Sequence, residues 1–231
     1  MRTVALIPAH NEAVRIADTV RAVRSVPTIG RVLVIDDGSA DSTADAARAA
    51  GAEVLVLAAN RGKGGALQAG IDRASSEADI LLFLDADLGA SAAEAAALLA
   101  PVLAGQAEMT VAILPKPPGS GGFGLVKGLA RAGIRGLSGY TASAPLSGQR
   151  ALTRKAWTAS LPIASGYGVE VALTVCIACA GLTILEVPTT MSHAATGKDI
   201  AGFAHRGRQF ASVAKTLLTL AIARRRRLPN V

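Results

Sequence analysis

The chain has 231 residues, 51% of them hydrophobic, which is enough for one large α/β domain or two small ones with a substantial core. Its 24 basic and 17 acidic residues leave a net charge of +7, which favours anionic partners in general without choosing among nucleotides, phosphorylated metabolites, nucleic acid and acidic lipid. Aromatic residues make up only 3%, which argues against a surface built to stack nucleic-acid bases.

In chain order, Val4-Ala5-Leu6-Ile7 is a first buried strand, closed by Pro8-Ala9-His10-Asn11-Glu12. Ile16, Val20 and Val23 share one face of a helix. Arg31 to Ile35 is a second strand, and it too closes on acid, Asp36-Asp37-Gly38-Ser39. Asp41-Ser42-Thr43 caps an alanine-rich helix through Ala50, with Gly51 at its C-terminus. Val54 to Leu57 is a third strand. The basic, glycine-rich Asn60-Arg61-Gly62-Lys63-Gly64-Gly65 is expected as a loop opening a helix over Ala66 to Ala74. Ile80 to Leu84 is a fourth strand, apolar without interruption and so buried on both faces. It stops at Asp85-Ala86-Asp87, and Ser91-x-x-Glu94 has the form of a capping box for the next helix.

Strands alternating with helices predict a parallel, doubly wound sheet, in which ligands bind outside the carboxyl ends of the strands. Four successive strand ends here carry polar clusters. Residues two apart on a strand point the same way, so Asp85 and Asp87 are placed to share one hard cation, Mg²⁺ or Mn²⁺, with a diphosphate supplying further oxygens. No G-x-G-x-x-G follows the first strand and no G-x-x-x-x-G-K-[ST] occurs, which excludes the common dinucleotide and P-loop designs.

Beyond a fifth strand, Met109 to Leu114, the breaker-rich Pro115 to Gly122 separates two sections of one domain. Lys127, Arg131 and Arg135 line one helix face. Pro145 to Ala151 and Gly166 to Glu170 are polar punctuations, Val171 to Gly181 is a buried helix, and Thr183 to Val187 is a late strand. Cys176 and Cys179 form a lone C-x-x-C, and the sequence offers no second such pair for a zinc site. The start of the chain runs directly into a strand pattern, so no signal peptide is expected, and the apolar stretch near residue 180 is short for a membrane span. Phe210, Val213, Leu217 and Leu220 form a helical stripe followed by Arg224 to Arg227, which fits either a core-facing helix with a solvated basic tail or a weak contact with anionic membrane.

These motifs, in this order, resemble the family 2 glycosyltransferases and their relatives, including glucosyl-3-phosphoglycerate synthases. Pro8-Ala9-His10-Asn11-Glu12, Val34-Ile35-Asp36-Asp37-Gly38-Ser39, Asn60-x-Gly62-Lys63-Gly64-x-Ala66-Leu67 and Asp85-x-Asp87 carry the likeness through the first half. Pro145-Leu146-Ser147-Gly148, Gly166-Tyr167-Gly168-Val169-Glu170 and the His193 region extend it through the second. The resemblance implies an α/β, GT-A, Rossmann-like nucleotide-diphospho-sugar transferase fold with a mainly parallel central sheet flanked by helices. The chain is then a single domain over 1–231, with 1–114 holding the nucleotide sugar and 115–231 the acceptor.

It further implies a metal-dependent hexosyltransferase that uses a UDP-sugar, with UDP-glucose the expected donor. Pro8, Ala9, Asn11, Glu12, Asp37, Gly62, Lys63, Asp85 and Ala86 are the implied donor contacts. Asp87 and His193 are the implied ligands of Mg²⁺ or Mn²⁺, and Asp87 and Glu170 the catalytic pair. Gly122, Lys127, Arg131, Ser147, Gly148 and Tyr167 are expected around a phosphorylated acceptor, either a small metabolite or a polyprenyl phosphate. Phe123 and Leu125 stand where the phosphoglycerate enzymes have arginine and threonine, which argues against phosphoglycerate itself as the acceptor, while Lys127 and Arg131 could receive another phosphate.

The accompanying expectations are a cytoplasmic protein, peripheral contact with the inner face of the membrane, a homodimer and no nucleic-acid partner. Two other readings stay open at this level. A nucleotidyltransferase of related fold lacks support because the first strand ends in Pro8-Ala9-His10-Asn11-Glu12 rather than in a glycine-rich turn with arginine. A basic membrane- or nucleic-acid-binding module leaves the acidic strand ends unexplained.

Overall fold

The computed structural model describes residues 1–115, 124–193 and 200–227, with backbone alone for Tyr167, 200–208 and 224–227. Seven strands form one sheet: β1 (Thr3–Ala9), β2 (Arg31–Asp36), β3 (Glu53–Val56), β4 (Ile80–Phe83), β5 (Met109–Ile113), β6 (Arg150–Thr153) and β7 (Ile184–Pro188). Their order across the sheet is β3-β2-β1-β4-β6-β5-β7. All neighbours are parallel except at β6, which runs antiparallel to both β4 and β5. Eight helices accompany them among the described residues: α1 (Ile16–Arg24), α2 (Thr43–Ala49), α3 (Gly62–Ala74), α4 (Ala95–Leu103), α5 (Gly124–Ser138), α6 (Arg154–Ala159), α7 (Val169–Cys179) and α8 (Ile200–Arg227).

The two-residue period of the strands builds two core layers. Ala5, Ile7, Val34, Ile80 and Leu82 face a layer with Ile16, Val20 and Val23 of α1 and Leu98 and Leu99 of α4. Val4, Leu6, Leu33, Leu81 and Phe83 face the other, with Leu67 and Ile71 of α3 and Leu173 and Ile177 of α7. Both faces of β4 are therefore covered, as its unbroken apolar run predicts. A third cluster joins α5, α7 and α8 through Val126, Ala130, Ile134, Val171, Val175 and Val213.

The structure corrects three expectations and decides a fourth. The glycine-rich segment is not a loop ahead of α3 but its first turn, since the helix starts at Gly62. Ser91 and Glu94 form no capping box: Ser91 Oγ donates to the Leu88 carbonyl, and the Glu94 carboxylate accepts from the Thr190 backbone at 2.6 Å. Those residues lie in a 3-10 turn, Gly89–Glu94, before α4. The polar punctuation around residue 150 hides both β6 and α6. In the α8 stripe, Val213 is buried and Leu217 and Leu220 pack against the α5–α7 cluster, so three of its four members face the core. The outward apolar face of α8 is instead Phe210, Leu218 and Ile222.

One junction decides where the helices sit. Gly64, buried in the first turn of α3, lies so close to the Ala164 carbonyl that a Cβ there would overlap it. In an unconstrained helix Gly→Ala is favourable by about 1 kcal/mol. Here both sides of the contact are backbone, so Gly64→Ala is expected to destabilise by about 1–3 kcal/mol, the cost of overpacking. Urea unfolding of the variant against the parent measures it.

Candidate active site

The carboxyl ends of β1, β2 and β4 and the start of α3 open on a cleft of about 280 Å³. Its walls are Pro8, Ala9, His10, Glu12, Asp37, Lys63, Asp85, Ala86, Asp87 and His193. Nine of these ten residues are those the sequence singled out; His10 is the addition. Asn11 and Gly62 lie beside the cleft rather than in its walls. Asn11, at φ 57, braces two loops: its backbone N–H donates to Ser39 Oγ at 2.9 Å and its side-chain oxygen accepts from Ala40 N at 2.9 Å.

The first two strand ends are tied together before any ligand arrives. The Ala9 carbonyl accepts from Asp37 N at 2.8 Å, and Asp37 Oδ1 accepts from Arg61 N at 2.7 Å, just ahead of α3. His10 Nδ1 lies 3.0 Å from the Asp37 carbonyl, so Nδ1 carries the proton and Nε2 accepts from Asn11 Nδ2 at 3.2 Å. Glu12 keeps one oxygen on Arg15, at 3.1 Å.

At the centre, Lys63 Nζ sits 2.6 Å from Asp85 Oδ1 and 2.8 Å from Glu170 Oε1. Burial alone would weaken its hold on a proton; the Asp85 and Glu170 carboxylates more than offset that and raise its pKa. For Asp85, burial acts in the opposite sense, and the charges of Lys63 and His193 outweigh it to hold the carboxyl below its ordinary range. Glu170 is 7% exposed, in the first turn of α7. Gly148 faces the same spot, where any Cβ would overlap Lys63 Nζ. Ser147 Oγ donates to Gln149 Oε1 at 3.2 Å. Two residues overlooked in the sequence complete the surroundings. Gln149 Nε2 donates to Asp85 Oδ2 at 2.7 Å, and Arg150 lies fully buried behind it. A charged residue beside the apolar Ala151-Leu152 was the available signal.

His193 Nδ1 lies 2.9 Å from Asp87 Oδ1. That hydrogen bond, followed by the Asp85 and Asp87 charges, raises the histidine's pKa against burial and Lys63. No three His, Cys, Asp or Glu side chains among the described residues form a closed metal cage. The pair nonetheless fits a divalent ion. Cis donors about 2.1 Å from such an ion would stand about 3 Å apart, close to the 2.9 Å between these two atoms. A diphosphate would then fill the open positions. A second depression of about 250 Å³ lies on the far side of the same pair, against Arg15, Asp18, Leu88 and Gly89.

The expected acceptor residues are more dispersed. Arg131 on α5 is engaged with its own domain, Nε on the Ala142 carbonyl at 2.9 Å and Nη2 on that of Ser143 at 3.3 Å. Lys127 is half-buried one turn earlier on α5. Gly122 and Phe123 lie outside the described residues, and Tyr167 belongs to the 3-10 turn Gly166–Gly168 that leads into α7.

Comparison with known proteins gives a consistent picture. Residues 4–142 match the model of glycosyl transferase family 2. The chain is 32% identical over 202 residues to the glycosyltransferase AglJ of Haloferax volcanii, covering 84% of this chain and 64% of that protein. It is 30% identical to the glucosyl-3-phosphoglycerate synthase of Mycobacterium tuberculosis, covering 75% of this chain and 60% of the relative. It therefore spans less than two thirds of the curated relatives it matches. Crystal structures of that synthase superpose with a TM-score of 0.79 in the complex with phosphoglyceric acid, at 27% identity over 95% of this chain and 79% of that one. The TM-score is 0.76 for the complex with Mn²⁺, UDP-glucose and phosphoglyceric acid, over the same shares of the two chains. The fold is thus the GT-A arrangement expected from the motifs.

The contact of Gly148 with the Lys63–Asp85 pair is open to a double-mutant cycle. Gly148→Ala is expected to cost about 1–3 kcal/mol by forcing Lys63 aside. In a Lys63→Met background, where the displaced charge is gone, the same change should cost less, with a coupling of about 1 kcal/mol or more. Denaturant unfolding of the four proteins measures it, and additive losses would show that the two positions do not press on each other.

Proposed function

The protein belongs to glycosyl transferase family 2, and we propose that it transfers a hexose, glucose in the first instance, from a UDP-sugar to a phosphorylated acceptor with Mg²⁺ or Mn²⁺. The observation that carries this reading is the cleft itself. Asp37, Asp85, Asp87 and Glu12 converge there around one lysine, at the carboxyl ends of parallel strands. Such a cleft repels a bare diphosphate and accepts one neutralised by a divalent ion. The relative solved with Mn²⁺ and UDP-glucose has the same fold over 95% of this chain.

In this reading Ala9, Glu12 and Asp37 hold the nucleoside, and His10 closes the wall beside them. Asp87 and His193 hold the ion, which when bound acts as a Lewis acid on the leaving diphosphate. Lys63, seated where α3 begins, exchanges one of its carboxylate partners for a phosphate oxygen. The N-terminus of α3 adds the positive end of its dipole. Glu170, at the start of α7, takes the proton of the attacking acceptor hydroxyl.

On the acceptor side, Ser147, Gly148, Gly122, Tyr167, Lys127 and Arg131 remain the proposed neighbours. Arg131 has only its remaining N–H groups to offer, because two of its nitrogens serve the Ala142 and Ser143 carbonyls. Leu125, which stands where the phosphoglycerate enzymes have threonine, is 82% exposed.

A lipid-linked acceptor is favoured by one observation: Phe210, Leu218 and Ile222 line the outer face of α8, and four arginines follow in sequence. No helix among the described residues is long and apolar enough to cross a membrane. Contact would therefore be peripheral, at the cytoplasmic face.

The metal assignment predicts that UDP binding, followed by calorimetry, weakens strongly on adding EDTA. Asp87→Ala and His193→Ala should each lower transfer on the order of 10²–10³-fold while the unfolding midpoint stays within a few degrees. UDP affinity unchanged by EDTA would remove the ion from the reading.

Glu170→Gln separates binding from chemistry. Transfer should fall roughly 10²–10⁴-fold with donor affinity preserved. A rise in acceptor KM alone, with full turnover at saturation, would make Glu170 an acceptor-binding residue instead.

For the membrane, the full chain should pellet with anionic liposomes at low salt and be released at high salt. Each basic residue near the surface contributes about 1 kcal/mol. Phe210→Ser with Leu218→Ser should reduce pelleting. Negligible pelleting of the parent would shift the acceptor to a soluble phosphate.

A further inference from the structure

We propose that Gln149 and Arg150 are positioning residues of the transfer site: Gln149 sets the direction of the Asp85 carboxylate, and Arg150 fixes its loop to the turn of α7 that carries Glu170. The inference rests on the transferase reading and goes beyond the family motifs, none of which assigns either residue a role here.

The placement follows from the antiparallel strand. Phe83 pairs with Arg150, which brings the start of β6 alongside the acidic end of β4. Gln149 is fully buried, and its own carbonyl accepts from Ala112 N at 3.0 Å, so its backbone is pinned to β5. From there its Nε2 reaches Asp85 Oδ2 at 2.7 Å, while Lys63 holds Oδ1 at 2.6 Å. The two tethers differ in kind. Lys63 is charged and is drawn to any diphosphate that enters. Gln149 is neutral, has its oxygen on Ser147 Oγ, and has no reason to leave. When Lys63 turns to the donor, Gln149 keeps Asp85 in register.

Arg150 acts one layer deeper. At 1% exposure, its Nε donates to the Ser147 carbonyl at 2.8 Å and its Nη1 to Thr174 Oγ1 at 3.0 Å. Thr174 Oγ1 in turn donates to the carbonyl of Glu170 at 2.9 Å. The guanidinium thus spans the loop beside Asp85 and the helical turn of Glu170. It does so at a thermodynamic disadvantage. No carboxylate among the described residues forms an ion pair with it, and Nη2 has no hydrogen-bond partner among them. Burial weakens its hold on the proton, lowering its pKa to about 10. The charge of Glu170, with Tyr140 and Glu186 behind it, offsets only part of that cost, so an apolar side chain of similar volume is expected to replace the guanidinium with little loss of stability. Stability therefore does not account for an arginine here, whereas placement of two carboxylates does.

The test compares the parent with Gln149→Leu and Arg150→Met, using thermal unfolding, donor KM and kcat for sugar transfer. Gln149→Leu should lower kcat about ten- to a hundredfold, the scale of a misplacement near 1 Å, with donor KM within about threefold. Arg150→Met should match or exceed the parent in unfolding midpoint and still lose about tenfold or more in kcat. Values of kcat within twofold of the parent in both variants, or losses that only track unfolded protein, would overturn the proposal. A parent that turns over no UDP-sugar would count against the transferase reading alone. The positioning role is then judged on the crystal structure of Gln149→Leu, where a reoriented Asp85 carboxylate supports it and an unmoved one overturns it.

Discussion

A single ammonium group joins the two halves of the chain. Lys63 leaves the first turn of α3 and touches Asp85, at the end of β4, and Glu170, at the start of α7, with both distances below 3 Å. Its neighbours are arranged around that reach. Gly148 gives up its side chain so that the ammonium can pass, and Gly64 gives up its own so that α3 can press against the Ala164 carbonyl. The charge balance depends on the same group. Lys63 supplies the counterion for two carboxylates that would otherwise stand together in a largely buried position, and they in turn hold its proton in place.

The other organising feature is the reversed strand. A wholly parallel sheet would end every strand on the same edge of the cleft, but β6 runs the other way between β4 and β5. The beginning of β6, rather than its end, therefore meets the acidic end of β4. This is how a segment far along the chain, Ser147 to Arg150, comes to border a site made mostly by the first ninety residues. It also explains why both sides of the cleft share one frame, since β6 is hydrogen-bonded to β4 on one side and β5 on the other.

Much of this was legible in the residues. The runs Val4–Ile7, Arg31–Ile35 and Ile80–Leu84 are apolar, short and bounded by polar clusters, so strand, edge and ligand side can be read together. Eight of the ten cleft residues lie in those clusters; Lys63 comes from the glycine-rich segment and His193 from the far end of the chain. What stayed hidden had physical reasons. β6 spans only four residues and opens with a buried arginine, so no period or apolar run announces it. The first turn of α3 is written in glycine, normally a signal for loop, because close backbone packing there outweighs helix propensity. Ser91 and Glu94 have the spacing of a cap, yet their side chains are taken by partners about a hundred residues away, Ser192 and Thr190. The stripe on α8 was visible as a stripe, but periodicity cannot say which side of it meets the protein. Val213, Leu217 and Leu220 meet α5 and α7.

The strand order also bears on how the chain is made. β4 finds β1 and the strands beyond it already synthesised, but its other edge is completed only by β6, whose first residue lies 67 positions after Phe83. At roughly 5–20 residues per second, the ribosome needs about 3–13 s to cover that interval. During it, Ile80-Leu81-Leu82-Phe83 presents an apolar strand with one row of unpaired backbone groups, the kind of edge that recruits a neighbouring chain. The insertion that lets a late segment border an early site thus leaves a sticky half-sheet on the nascent polypeptide, and the yield of folded protein becomes a matter of elongation speed and chaperone supply.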